Sequence, residues 1–128
     1  MGFYDGFQFL KKAKTRVIFK NTDSLHARIV YSCHPDFVYD IEISERAAIK
    51  EQIKSLIHES IHCGKDFVRY LGKMRTLPNH QYDKIEDEIK RQTDFIYEYH
   101  SRLVNFLRLK LSRESFYEQG QRYYDLSQ

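Results

Sequence analysis

Two histidines four residues apart, with a glutamate beside the first, form the segment His58-Glu59-Ser60-Ile61-His62. On a helix this spacing stacks both imidazoles on one face, where they can grip a single metal ion. Glu59 then reaches a water in the metal's open position and takes its proton. Zinc suits such donors, and it lowers the pKa of a bound water from 15.7 to about 7. A site of this kind hydrolyses amide bonds near neutral pH. The competing reading is a chance match on a helix with two surface histidines. A purely structural metal site, for its part, has no use for a carboxylate at the water position.

The residues around the motif supply the helix. Ile49, Ile53, Leu56, Ile57 and Ile61 recur at helical spacing and form an apolar stripe. His58 and His62 each follow a stripe residue, so they fall on the border between core and cleft. The pattern predicts a helix capped by Ser44, with Glu45 in its first turn and Gly64 at its end. Lys65 to Leu77, with Phe67, Val68 and Leu71, reads as a short helix and then a loop before the break at Pro78-Asn79.

Before the motif lie three β-rich runs, Arg16–Lys20, Ala27–Tyr31 and Phe37–Ile43. The turn residues Asn21-Thr22-Asp23-Ser24 and the break at His34-Pro35-Asp36 separate them. In the third run Phe37, Tyr39, Ile41 and Ile43 share one face, and Asp40 and Glu42 share the other. This predicts a small antiparallel three-stranded sheet with one wet face, packed on the motif helix. Met1 to Lys14, with four aromatics and then lysines, fits either a short packed helix or an arm on the core.

After the motif, a second long helix is predicted from about Gln81 to at least Leu111. Ile85, Ile89, Ile96, His100, Leu103 and Leu107 define its apolar face. Its first turns carry the acidic cluster Glu86-Asp87-Glu88. At about 100° per residue, Glu86 falls to one side of that face and Glu88 to the other, so both reach the border of the core. Both stay open on geometry, beside the plainer reading of a solvated helix start favoured by the dipole. Arg102, Arg108, Lys110 and Arg113 read as the solvated basic side of a core helix. The tail from 113 to 128 extends that helix or frays.

Composition adds limits. With 128 residues, 41% hydrophobic and 30% charged, the chain suits one α+β domain with a core over about 16–112. A net charge of +3 does not call for a nucleic-acid partner. No apolar run is long enough to span a bilayer, and Met1 to Lys14 has no signal-peptide pattern. Two cysteines, Cys33 and Cys63, make no disulfide framework. The expected location is the cytoplasm. Cys63 reads as a small buried apolar side chain, and His26 and His34 as exposed residues near turns.

Three strands, a His-Glu-x-x-His helix, a loop and a helix opening with carboxylates follow the order of small zinc peptidases. The stretch from Tyr39-Asp40-Ile41-Glu42-Ile43 through the motif to Ile85-Glu86-Asp87-Glu88-Ile89 resembles the ImmA/IrrE family of metallopeptidases. The resemblance covers roughly residues 37 to 100. It departs at Ser60-Ile61, where the family usually has a glycine, and at Ile89-Lys90, where it has a small residue and then Asn or Asp. The longer metzincin motif is excluded, since Lys65 stands where its glycine would be.

The resemblance implies a minimal zincin-like fold, one zinc ion, and a glutamate on the later helix as third ligand. It favours Glu86, with Glu88 the runner-up. It also implies a protein substrate, such as a repressor of a mobile element or stress operon. Glu59 would take the water's proton and pass it to the leaving amine. An exposed edge strand, Phe37 to Ile43, would align an extended peptide. Tyr70, His80, Tyr82 and His100 are candidates for a further donor to the oxyanion. The alternative function is a non-catalytic zinc-containing interaction module from a mobile element. Neither reading fixes the oligomeric state.

Overall fold

The computed structural model describes residues 2–22, 27–72, 79–113, 116–118 and 120–127, with backbone alone for 2, 65–72, 79–80, 82, 113 and 116. In chain order the elements are α1 (Gly2–Lys12), β1 (Thr15–Lys20), β2 (Arg28–Tyr31) and β3 (Tyr39–Ser44). Then come α2 (Ile49–Gly72), α3 (Asn79–Tyr99), α4 (Ser101–Arg113), β4 (Phe116–Glu118) and β5 (Gln121–Asp125).

The class is α+β, as the hydrophobic periods indicate, but the sheet differs from the expected one. It has five strands in the order β2-β3-β1-β5-β4, with β1 and β3 parallel. The chain leaves β1, skips one place, lays down β2, and returns β3 into the gap antiparallel to β2. Alternation within each run sets which side chains face the core but is silent on which run lies between the others. The position of β1 explains its composition. Flanked by β3 and β5, it buries Val17, Ile18 and Phe19 in succession, as a central strand does.

One face of the sheet packs against α1 and α2 through Val17, Phe19, Ile41 and Ile43. The opposite face is covered by its own long side chains. Arg16 bonds Asp40 at 2.7 and 3.2 Å and lies over the rings of Phe37 and Tyr123. Glu42 pairs with Lys20 and Arg28. Asp40 is therefore buried, and the face expected to be wet is a partly closed ladder of ion pairs.

Of the two readings open for the N-terminal segment the packed helix holds, and two boundaries differ. The N-terminal segment is a helix, α1, which buries Phe3, Phe7 and Leu10 against the core. Gly64 does not end the motif helix; α2 runs on to Gly72, and the shorter second helix is its continuation. The reason is packing. A Cβ on Gly6 of α1 would meet the carbonyl oxygen of Ser60 at 1.7 Å and the amide of Gly64 at 2.6 Å, so the two helices touch backbone to backbone. Ser44 does not cap α2 either. Its hydroxyl donates to the Thr22 carbonyl (2.6 Å) and accepts from the Arg46 amide, which shapes the turn, while Ala48 accepts the first helical bonds. Glu51, not Glu45, is the acid of the first turn.

The long second helix is divided at His100 into α3 and α4, with the flanking bonds His100–Ile96 and Val104–His100 both made. The tail neither extends α4 nor frays. It forms the β4–β5 hairpin, whose turn residue Gly120 has a φ of 78°. Arg122 ties it down, donating to the Leu111 carbonyl at the end of α4 and lying 4.0 Å from the Phe19 ring centre. Gln121 donates to the Phe19 carbonyl at 2.7 Å. His34, expected to be exposed, is half-buried against Phe37 with Nε2 3.2 Å from Glu118 of the hairpin. His26, Asp23, Ser24, the loop expected up to Leu77 (from 73 on) and Pro78 lie outside the described residues.

Candidate metal centre

The stripe Ile53, Leu56, Ile57 and Ile61 is wholly buried and fixes how α2 rotates on the sheet. That rotation turns His58 and His62 toward α3. On α3, Ile89 and Thr93 are buried, and the Thr93 hydroxyl donates to the Ile89 carbonyl at 2.8 Å. An ion pair between Lys54 and Asp94 (2.9 Å) joins the two helices at the exposed end of their contact. Glu86, two turns before Thr93, is thereby brought against the histidines.

The three side chains converge. Nε2 of His58 stands 2.8 Å from one oxygen of Glu86, and Nε2 of His62 stands 2.7 Å from the other. The two Nε2 atoms are 3.2 Å apart. Tetrahedral coordination with metal–nitrogen bonds of about 2.0–2.1 Å would set ligand atoms about 3.3 Å apart. The histidine pair already has that spacing. Glu86 sits closer, at hydrogen-bonding distance, and a retreat of about half an ångström would make it a ligand. Two imidazoles and one carboxylate thus form a group able to hold a metal ion.

Electrostatics follow from the same contacts. Burial alone would lift the Glu86 pKa, but the hydrogen bonds and charges of His58 and His62 outweigh it and hold the carboxyl down at about 2. Burial pulls His58 downward, yet the Glu86 bond and charge, with the charge of Glu59, leave its pKa raised. The carboxylate is therefore ionised, as a ligand must be, while the raised pKa of His58 favours its protonated form, with which a metal would compete.

Glu59 is 3% exposed and lines the cleft beside His58. The cleft, of about 720 Å³, lies between α2 and α3 and is closed on one side by Ala27, just before β2. Burial, and then the charge of Glu59, push the Cys63 thiol far up; Cys63 is buried as a small apolar side chain.

Of the proposed ligands, the structure brings together His58, His62 and Glu86. Glu88 does not join them; it is exposed and accepts a bond from Gln92 at 3.3 Å. His100 stands apart from the cleft against Phe95, and the side chains of Tyr70, His80 and Tyr82 lie outside the described residues. β3 is paired on both sides, so the segment Phe37–Ile43 is not an edge; β2 is the edge strand beside the cleft. Sequence reasoning missed Lys54, Asp94 and Lys90 as cleft residues. Lys54 stands one turn before His58, and Lys90 one turn after Glu86, so each shares a helix face with a candidate ligand.

Among the described residues, no helix is long and apolar enough to cross a membrane. No family model, curated protein or solved structure matches the chain.

Proposed function

We propose that the protein is a zinc-dependent endopeptidase, similar in its site to ImmA/IrrE metallopeptidases, that hydrolyses a peptide bond in a protein substrate. The observation that carries this reading is the convergence of His58, His62 and Glu86 beside the cleft that Glu59 lines. Zinc is accommodated by a two-imidazole, one-carboxylate set, and when bound it would supply Lewis acidity and an acidified water. The chain's own residues do the rest. Glu86 and the histidines would hold the ion, and α2 places Glu59 one residue from His58, where its carboxylate would take a proton from water and return it to the leaving amine. Among the described residues β2 is an outer strand of the sheet, and its backbone would offer hydrogen-bonding groups to an extended peptide.

Glu59→Gln tests the reading. The variant should bind zinc as the unaltered protein does and lose hydrolysis of a confirmed protein substrate by at least about 10²–10⁴-fold. Unchanged turnover sinks the assignment. Stoichiometric zinc with no hydrolysis by either protein shifts the reading to a non-catalytic zinc module.

A further inference from the structure

Peptide hydrolysis needs more than a base and a metal. As the water oxygen bonds to the carbonyl carbon, the π electron pair moves onto the carbonyl oxygen and the water proton passes to Glu59. The carbon–nitrogen bond then breaks, the amine nitrogen takes that proton, and the pair on oxygen re-forms the carbonyl. A positive group facing the oxygen while it is charged lowers the barrier.

Among the described residues that line the cleft, few donors are available for this. The Thr93 hydroxyl is committed to the Ile89 carbonyl and the Lys54 ammonium to Asp94. Ser55 and Lys90 remain, and only Lys90 carries charge. Lys90 has carboxylates one turn to either side, Glu86 and Asp94, and both are engaged elsewhere, with the histidines and with Lys54. Lys90 itself makes no hydrogen bond or ion pair among the described residues. Glu51 and Asp87 also line the cleft, so its walls are otherwise acidic. The positive charge of Lys90 is felt at His58, where it opposes protonation.

We propose that Lys90 is a catalytic residue of this site, its ammonium facing the substrate carbonyl oxygen as the carbonyl carbon becomes tetrahedral and that oxygen negative. The proposal rests on the metallopeptidase reading. Lys90 stands one helical turn from a ligand, and a lysine stem spans such a distance.

The test uses the full chain loaded with cobalt(II), whose visible spectrum reports ligands entering the site. Cobalt content is measured first; a protein that takes up no metal defeats the metallopeptidase reading itself, before any probe is added. Two probes follow. Inorganic phosphate is a tetrahedral oxyanion able to meet the metal and Lys90 together, and 2-mercaptoethanol engages the metal alone. With the site saturated with cobalt, Lys90→Met should weaken phosphate binding about tenfold while leaving thiol binding unaltered. Lys90→Arg, which keeps the charge, should restore phosphate binding. Lys90 is exposed, so both variants should unfold at the same denaturant concentration as the unaltered protein. Equal phosphate affinity in the Met variant overturns the proposal. So does an equal loss for phosphate and thiol, because that marks a general disturbance of the metal site.

Discussion

Two residues along a helix turn a side chain by about 200°, so Glu86 and Glu88 cannot both face α2. The periodicity of α3 leaves either one on the border of its apolar face. What separates them is the direction from which α2 approaches, and this depends on Ile89 and Thr93 seating α3 and on the Lys54–Asp94 pair joining the two helices. None of these contacts lies within one helix, so a pattern read along α3 could not contain them. The histidines were legible for the converse reason: their spacing and their buried neighbours Ile57 and Ile61 belong to a single helix. A direct comparison follows. Glu86→Gln should lower zinc affinity by at least about a hundredfold, since even partners one shell further out change it 10–100-fold. Glu88→Gln should leave it within about twofold, as for an exposed substitution. Competition against a chromophoric chelator measures both. A loss confined to the Glu88 variant would assign the third ligand there instead.

Elements proved legible where one period governs them and illegible where they depend on a partner. The stripe of α2 and the apolar run of β1 are internal to their segments, so their existence and type could be read directly. Gly64 was misread because glycine serves two ends, stopping a helix and admitting a neighbour, and only α1 decides between them. The β4–β5 hairpin was missed because its strands are largely polar and aromatic, held by Arg122 and Gln121 to other elements. Its turn residue Gly120 was the available signal. The two glycines make a paired prediction. Gly6→Ala places a Cβ 1.7 Å from the Ser60 carbonyl oxygen, so α1 must move off α2. The expected cost is about 2 kcal/mol or more, beyond any gain in helix propensity. Gly120→Ala has nothing within 4 Å and is strained only by its φ of 78°, at about 1 kcal/mol. Urea unfolding of both variants checks the order. If Gly120→Ala costs more, the close contact of α1 with α2 is not the interface described.

For the molecule as a whole, a metal held by His58, His62 and Glu86 would join folding and protonation in one equilibrium. Metal-free, the His58–Glu86 pair contributes to stability in a limited window. The Glu86 pKa is depressed from 4.5 to about 2, so its contribution is present above pH 4.5 and lost as pH falls toward 2. The His58 pKa is raised above 6.5, so its contribution is present below that value and lost as pH rises through the folded one. The metal-free protein is therefore best served by this pair between pH 4.5 and 6.5. A metal needs His58 neutral, so binding expels its proton, and the apparent affinity rises with pH. At free zinc about a hundred times its dissociation constant, stabilisation is about 2.7 kcal/mol, a gain on the order of 10 °C in Tm. At one fixed free zinc concentration, the gain should be larger at about pH 7.5 than at about pH 5.5, where the proton on His58 competes. Thermal unfolding with zinc and with chelator at both pH values measures it, and His58→Ala should remove most of the gain at either. A gain independent of pH, or larger under acid conditions, would mean that zinc binds without displacing this proton. His58 would then lie outside the metal centre.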